Sequence, residues 1–198
     1  MNLAIGVMGS ASGVAEPALE ARLEDLGRAV ARSGCTLITG ACPGLPYAAV
    51  RGAKGVGGLV VGISPGLSLI EHVKKYDAPT KHHDLLIFTG SGLMGREVVN
   101  IRSSEIVVII GGRSGTLGEF AIAYDEGKLI GVLQDTGGIA DQIEVILDIC
   151  RIKQTGAKVI MDNDPKKLVA RLLRIYHREF KKHASVFDNY ESKAFANK

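Results

Sequence analysis

A segment rich in glycine and hydroxyl side chains has the residue types of an anion-binding loop. The apolar run 106–110 leads into Gly-Gly-Arg-Ser-Gly-Thr, and a helical pattern follows. Free backbone N–H groups at a helix start, with the positive end of the helix dipole, bind phosphate. An arginine adds a forked donor to the same anion. The segment therefore predicts a phosphate site formed by Gly112, Arg113, Ser114, Gly115 and Thr116.

The same segment also has a purely structural interpretation. Thr116 and Glu119 have the Thr-x-x-Glu spacing of a capping box. In a capping box the hydroxyl accepts from an amide of the first turn, and the carboxylate accepts from the cap residue's own amide. The spacing alone favours this interpretation. The two interpretations are partly compatible, because a capped helix start can still bind an anion.

Arg96 is a second candidate for a functional role. It directly follows Gly95 at the predicted start of a helix. A cation near a helix N-terminus opposes the helix dipole, which indicates that Arg96 serves something other than the helix. The alternative is a solvated arginine or an ion pair with Glu97 or Glu105, and the residue types alone slightly favour that alternative.

Other motifs are weaker. Gly90–Gly95 matches G-x-G-x-x-G, but the next predicted strand does not end in the carboxylate that a dinucleotide ribose requires. His72, His82 and His83 have no partner at metal-ligand spacing and are interpreted as surface or loop residues. Cys42 is interpreted as a small buried residue. We expect neither a metal site nor a bound cofactor.

The elements that would position these residues follow from the apolar pattern. Short β-branched runs bounded by glycine are typical of strands buried on both faces of a parallel sheet. Segments of helical period separate these runs, so the predicted fold class is α/β, a Rossmann-like, doubly wound, mostly parallel sheet of about seven strands with helices on both faces. The predicted strands are Leu3–Met8, Thr36–Thr39, Leu59–Ile63, Leu85–Phe88, Ile106–Ile110, Leu129–Leu133 and Lys158–Met161.

Four glycine-bearing loops fall at the carboxyl ends of these predicted strands. They are Gly9–Gly13, Gly40–Gly44, Gly90–Gly95 and Gly111–Gly115. Ligands of doubly wound sheets bind at that edge, and glycine allows the backbone to approach a ligand closely. The four loops together predict a site built largely from backbone N–H groups.

Length and composition restrict the remaining possibilities. The 198 residues suit one domain, predicted over 1–183, with a polar tail over 184–198. A net charge of +3 is too small for a dedicated nucleic-acid or membrane surface. Three cysteines do not make a disulfide framework, and no apolar run approaches the roughly 20 residues of a membrane span. We expect a cytoplasmic protein.

These motifs resemble a known group. A strand followed by Gly-Gly-x-x-Gly-Thr-x-x-Glu, with an arginine upstream and a Ser-Glu pair before the strand, resembles the LONELY GUY (LOG)-like proteins. That group also carries a lysine decarboxylase label and is related to the molybdenum-cofactor carrier proteins. The resemblance covers roughly residues 2–152. It implies a Rossmann-like homodimer that binds nucleoside monophosphates with the phosphate on its Gly-Thr loop.

The resemblance also implies an activity. LOG enzymes cleave the N-glycosidic bond of cytokinin riboside monophosphates and release the base and ribose 5-phosphate. Their catalytic glutamate and arginine correspond to Glu119 and Arg96 of this chain. The expected nucleotide-binding residues in the other loops are Gly9, Ser10, Gly40, Met94 and Gly95.

Departures from the LOG motif support alternatives to hydrolysis. Gly111 replaces the motif's proline, Arg113 its second glycine, and Glu97 the lysine after the arginine. These changes favour a non-catalytic carrier or sensor of a nucleotide or pterin cofactor. A third alternative is an interaction protein that dimerises through the apolar face of its last helix, over 168–180. For both the hydrolase and the carrier or sensor, the expected partners are a small phosphorylated ligand and further copies of this chain.

Overall fold

Among the residues that the structure describes, seven strands form one parallel sheet. In the computed structural model, which describes residues 2–11, 16–150 and 154–181, the strand order is β4-β3-β2-β1-β5-β6-β7. The predicted fold class is confirmed, and each strand limit agrees with its prediction to within one residue. The strands are β1 Ala4–Gly9, β2 Thr36–Thr39, β3 Val60–Ser64, β4 Leu85–Phe88, β5 Ile106–Ile110, β6 Leu129–Leu133 and β7 Lys158–Asp162.

Helices follow the strands, as the apolar periodicity predicts. A short 3-10 segment over Gly138–Gln142 precedes α6, and a π-helical turn over Tyr176–Phe180 continues α7. Every strand pairing is parallel, so all strands end at the same edge of the sheet. The helices are α1 Pro17–Arg32, α2 Leu45–Lys54, α3 Leu69–Lys74, α4 Gly92–Arg102, α5 Ser114–Asp125, α6 Ile143–Cys150 and α7 Pro165–Ile175.

The sheet separates two apolar cores. Strand β5 shows the division, because successive side chains of a strand point to opposite faces. Its residues 106, 108 and 110 pack with α1, α2 and α7, whereas its residues 107 and 109 pack with α4, α5 and α6. The candidate anion loop follows β5 and is therefore anchored between both cores.

The apolar face of the last helix is used inside the subunit. Leu168 and Leu172 on α7 are fully buried, and Tyr176 and Phe180 pack against the same core. This helix therefore does not offer the open apolar face on which the third alternative, dimerisation through the terminal helix, depends.

Two predicted segments lie outside the described residues. They are residues 12 and 13 of the first glycine loop and the polar tail at 184–198. Among the helices that the structure does describe, none has the length and apolar character that crossing a membrane requires.

Candidate functional site

A cavity of about 200 Å³ lies where β1, β2 and β5 end. The loops after these three strands, the first turn of α2, and the helices α4 and α5 provide its walls. It therefore occupies the edge at which doubly wound sheets bind ligands. Eight of the predicted site residues line it: Gly9, Ser10, Gly40, Arg96, Arg113, Gly115, Thr116 and Glu119.

The loop after β5 turns through two glycines. Gly111 has φ +51° and Gly112 has φ +95°, a region that residues with side chains adopt rarely. A Cβ at Gly112 would also collide with the side chain of Thr116. The sharp turn therefore requires glycine, and it directs the chain into the start of α5.

Neighbouring residues hold this turn in place. The hydroxyl of Thr136 accepts a hydrogen bond from the Gly111 N–H at 2.9 Å. The N–H groups of Ile139 and Ala140 donate to the carbonyls of Gly112 and Gly111, each at 3.0 Å. The segment between β6 and α6 thus uses hydrogen bonds to both glycines to shape the loop.

The first turn of α5 presents free amides. Arg113 precedes the helix and makes no side-chain cap. Leu117 is the first residue whose N–H bonds back, to the Arg113 carbonyl at 2.9 Å. Within the described part of the chain, no acceptor pairs with the N–H groups of Ser114, Gly115 and Thr116. Such unpaired amides are the donors that bind anions at helix starts.

The capping-box interpretation is wrong. α5 begins at Ser114, so Thr116 is the third helical residue rather than the cap. Thr116 is buried and lines the cavity. Glu119 is also buried and faces the arginine of α4 instead of returning to the helix start.

Arg96 and Glu119 meet inside the cavity. The Arg96 Nη1 lies 3.9 Å from the Glu119 Oε1, and the two side chains are only 9% and 8% exposed. A Cβ at Gly40 would overlap the guanidinium, so this glycine makes room for the arginine. Arg96 is therefore neither solvated nor paired with Glu105, which instead accepts the Ala4 N–H at 2.7 Å.

The environment of Glu119 raises the pKa of its carboxyl to about 7. Burial is the main cause, because it disfavours the charged form, and the Arg96 charge opposes it. Glu97 raises the pKa further, while a hydrogen bond from Asn100 lowers it. A carboxyl with a pKa near 7 exchanges protons at neutral pH, as a general acid or base must.

Two polar residues of α4 join the site without having been predicted there. Glu97 is 7% exposed and lines the cavity, and burial raises the pKa of its carboxyl. Asn100 is fully buried, and its amide nitrogen donates to the Met8 sulfur at 3.6 Å. With Arg96 these residues follow the i, i+1, i+4 spacing of one helix side. That spacing, opposite the apolar Met94 and Val98, is the signal that could have found them.

Comparison with known proteins places the chain in a family. The sequence profile of the SLOG cluster4 family (LDcluster4) matches residues 2–169. The chain belongs to this family. The predicted relation to LOG-like proteins and molybdenum-cofactor carriers is thereby confirmed.

Solved structures similar to this SLOG cluster4 chain include two proteins named for the molybdenum cofactor. One, a molybdenum cofactor binding protein from Rippkaea orientalis, is 28% identical, with a TM-score of 0.72 over 88% of this chain and 98% of its own. The other, the molybdenum cofactor carrier protein of Chlamydomonas reinhardtii, is 26% identical, with a TM-score of 0.69 over 89% and 99%.

An uncharacterised protein from Archaeoglobus fulgidus is similar in sequence. It is 37% identical over 109 residues, which are 55% of the SLOG cluster4 chain. The match spans 66% of the length of that relative.

The remaining predicted residues of the SLOG cluster4 chain lie beside the cavity or away from it. Gly112 shapes the loop and Ser114 starts α5, but neither lines the cavity. Met94 is 71% exposed, and Gly95 is exposed beside it at the start of α4. This segment therefore contributes to the cavity through Leu93, Arg96 and Glu97 of α4, not through its glycines.

The histidines and Cys42 have environments that the sequence did not fully predict. His72 is fully buried, with Nδ1 2.9 Å from the Ser64 hydroxyl and Nε2 3.1 Å from the Pro79 carbonyl. Its predicted surface position is wrong. Cys42 lines the cavity, and burial raises the pKa of its thiol, which disfavours the nucleophilic thiolate. The described residues contain no cluster of histidine, cysteine, aspartate or glutamate that could hold a metal ion.

Proposed function

We propose that this chain binds a nucleoside 5′-monophosphate or a closely related phosphorylated ligand in the cavity. The free amides of Ser114, Gly115 and Thr116 carry the proposal, because they form an anion site at the end of β5. Arg113 lines the same cavity and adds a cationic donor. The cavity of about 200 Å³ is below the roughly 300–1,000 Å³ of typical ligand pockets, which suits a phosphate and sugar better than a dinucleotide.

Calorimetry with AMP and other nucleoside monophosphates tests this proposal. We expect saturable heat with the wild type and its loss in Gly115→Asp, since a carboxylate at the second helical residue would occupy and repel the anion site. Gly55→Asp is the matched control, because it adds the same charge at an exposed position before β3, at the opposite edge of the sheet, where the backbone has φ −60° and a Cβ would meet no atom closer than 3.4 Å. Absence of binding to every phosphorylated nucleoside would refute the proposal.

For the bound monophosphate we propose hydrolysis of the N-glycosidic bond. Water attacks the sugar C1′, the C1′–N bond breaks, and its electron pair leaves with the base. The ionised form of Glu119 accepts the proton of the water and stabilises the positive charge that develops at C1′. Arg96 positions the nucleotide and favours departure of the base. The placement of both side chains at 3.9 Å inside the cavity supports these roles.

Base release from a panel of monophosphates, followed by chromatography, tests the hydrolysis. Glu119→Gln should remain folded and lose turnover, because the amide cannot accept the proton of the water. Glu126→Gln, directly after the same helix, is the control, since its carboxylate pairs with Arg102 on the surface at 2.8 Å. No release by wild type under conditions where it binds the nucleotide would exclude this activity.

A non-catalytic carrier is the second candidate. The two neighbours named for the molybdenum cofactor favour it, because each aligns over nearly its whole length. A phosphorylated pterin would place its phosphate on the same amides and would be cargo rather than substrate. Mass spectrometry of the molecules released when the purified protein is denatured distinguishes the two. A bound pterin together with no base release would favour the carrier, and a bound nucleotide would count against it.

The proposal includes a homodimer that forms around α4. On α4, Met94 points away from the cavity-facing Arg96 and is 71% exposed, and Leu93, which also lines the cavity, is 51% exposed. Leu85 and Ile87 on the edge strand β4 are also exposed. Apolar surface of this kind marks interaction sites. Light scattering should show a dimer for the wild type and a monomer for Met94→Lys, and a wild-type monomer would contradict the proposal.

We also propose a cytoplasmic location and a single ligand-binding domain over 1–183. Cell fractionation tests the first, and AMP binding by a chain that ends at residue 183 tests the second. We expect the shortened chain to bind AMP with the affinity of the full chain.

A further inference from the structure

Two glycines of α5 make room for the carboxylate of Glu97. A Cβ at Gly115 would lie 3.2 Å from the Glu97 Oε1, and a Cβ at Gly118 would lie 3.1 Å from its Oε2. Residues three apart share one side of a helix. The Glu97 carboxylate therefore rests directly on the first turns of α5, beside the free amides.

The Glu97 side chain is largely buried, and its carboxylate faces the cavity without a direct partner. Glu97 is only 7% exposed, and within the described residues its oxygens make no hydrogen bond and no ion pair. The charged and titratable groups that surround it are Arg96 on α4, Arg113 and Glu119 at α5, and the Cys42 thiol after β2. Burial raises the pKa of Glu97, and Arg96 opposes that rise. A carboxyl in such a place takes up a proton more readily than one in water.

An ionised Glu97 would conflict with a phosphate at the start of α5. Both would be anions against the same helical turn, and their repulsion is strong in a site of low dielectric. A protonated carboxyl instead offers an O–H donor, whereas the carboxylate only accepts. One proton on Glu97 thus changes repulsion into a hydrogen bond to the phosphate.

We propose that Glu97 binds the ligand phosphate as a protonated carboxyl, so that binding takes up one proton from solvent. The inference rests on the proposed phosphate site, because the free amides define where the anion lies. By linkage, a ligand that takes up a proton binds less tightly as the pH rises. Above the pKa of Glu97 in the free protein, each pH unit should raise Kd about tenfold.

The experiment isolates Glu97 from the two other groups that titrate nearby. The first is Glu119, so the comparison is made between Glu119→Gln and the double variant Glu97→Gln/Glu119→Gln. The second is the phosphate of AMP, whose second pKa is about 6. Sulfate, which keeps its charge over pH 6–9, is therefore used beside AMP. Calorimetry in buffers of different ionisation enthalpy gives the number of protons taken up per ligand bound.

We expect about one proton per sulfate in Glu119→Gln and about none in the double variant. The Kd values of the two variants should converge as the pH falls toward the pKa of Glu97 in the free protein, since the glutamine N–H donates in place of the carboxyl. At pH 8.5 the double variant should bind at least about tenfold more tightly. If Glu119→Gln does not fold, wild type and Glu97→Gln are compared instead, and the proton count should fall by one.

Two results would overturn the inference alone and leave the proposed function intact. One is equal proton uptake with and without Glu97. The other is weaker binding at every pH after Glu97→Gln, which would indicate an ionised carboxylate that accepts a hydrogen bond from the ligand. A wild type that binds neither AMP nor sulfate at any pH would overturn the proposed function together with this inference.

Discussion

The helix pairs α1–α2 and α4–α5 both use glycines, but for opposite purposes. In α1–α2, a Cβ at Gly27 would overlap the Ala49 carbonyl, and a Cβ at Gly52 would overlap the Glu24 carbonyl. The two backbones therefore touch, and the side chains around them are apolar. The charged groups of this pair, such as Arg51, lie at the surface.

In α4–α5 the space left by glycine is filled by charged side chains. Gly115 and Gly118 accommodate the Glu97 carboxylate, and Arg96 and Glu119 lie beside it. Burying charged groups costs free energy unless they are fully paired. The α1–α2 pair is thus closely packed, which favours stability, whereas the α4–α5 pair is packed less closely and holds polar groups around a cavity.

The largest effect is expected where the backbones touch. Gly27→Ala forces α1 away from the Ala49 carbonyl and should lower the free energy of unfolding by about 3 kcal/mol or more, measured by urea denaturation. Gly55→Ala at the end of α2 is the control, because its Cβ would meet only ordinary contacts, the nearest at 3.4 Å. Equal losses at both positions would contradict the backbone contact.

The free-energy cost of burying the Glu119 carboxyl between α4 and α5 should appear as a pH dependence of stability. The pKa of Glu119 is about 7 in the folded chain against 4.5 unfolded, so between these values the folded state binds more protons. Stability should therefore fall as the pH rises from 4.5 to 7, by on the order of 3 kcal/mol. Urea denaturation across this range should show the fall in wild type and not in Glu119→Gln. An unchanged profile in the variant would contradict the burial of the carboxyl.

A smaller effect on stability, but a clear one on binding, is expected at Gly115. The alanine gains about 1 kcal/mol of helix propensity, which offsets the slight displacement of Glu97, so Gly115→Ala should change the free energy of unfolding by less than about 1 kcal/mol. AMP binding should weaken about tenfold, the cost of one disturbed hydrogen bond. A destabilisation as large as that of Gly27→Ala would erase the distinction between the two helix pairs.

The smallest effect is expected for ion pairs on the surface of α1. Arg28 pairs with Glu24 at 2.6 Å and Asp25 at 2.9 Å, and its side chain is 33% exposed. Exposed pairs contribute little, so Arg28→Ala should cost about 0.5 kcal/mol and less at high salt. Thermal unfolding at two salt concentrations checks this, and a loss near that of Gly27→Ala would be inconsistent with a solvated pair.

The sheet was predictable because its strands carry a strong local signal. Runs such as Ile106–Ile110 are β-branched, fully buried and followed by glycine, so they have few competing interpretations. The buried polar side of α4 was not predictable from the sequence, since apolar periodicity normally marks the buried side of a helix. Here Glu97 and Asn100 are buried while Met94 is exposed. Arg96 and Glu119 were found through the family motif, but their 3.9 Å approach depends on tertiary packing.

The conformation of the turn after β5 is stabilised by residues outside the turn. Thr136 and the 3-10 segment over Gly138–Gln142 hold it from outside, and none of these residues touches the cavity. Residues that do not line the cavity can therefore influence which ligand this fold prefers. Substitutions between β6 and α6 can change what relatives bind even where all residues that line the cavity are identical.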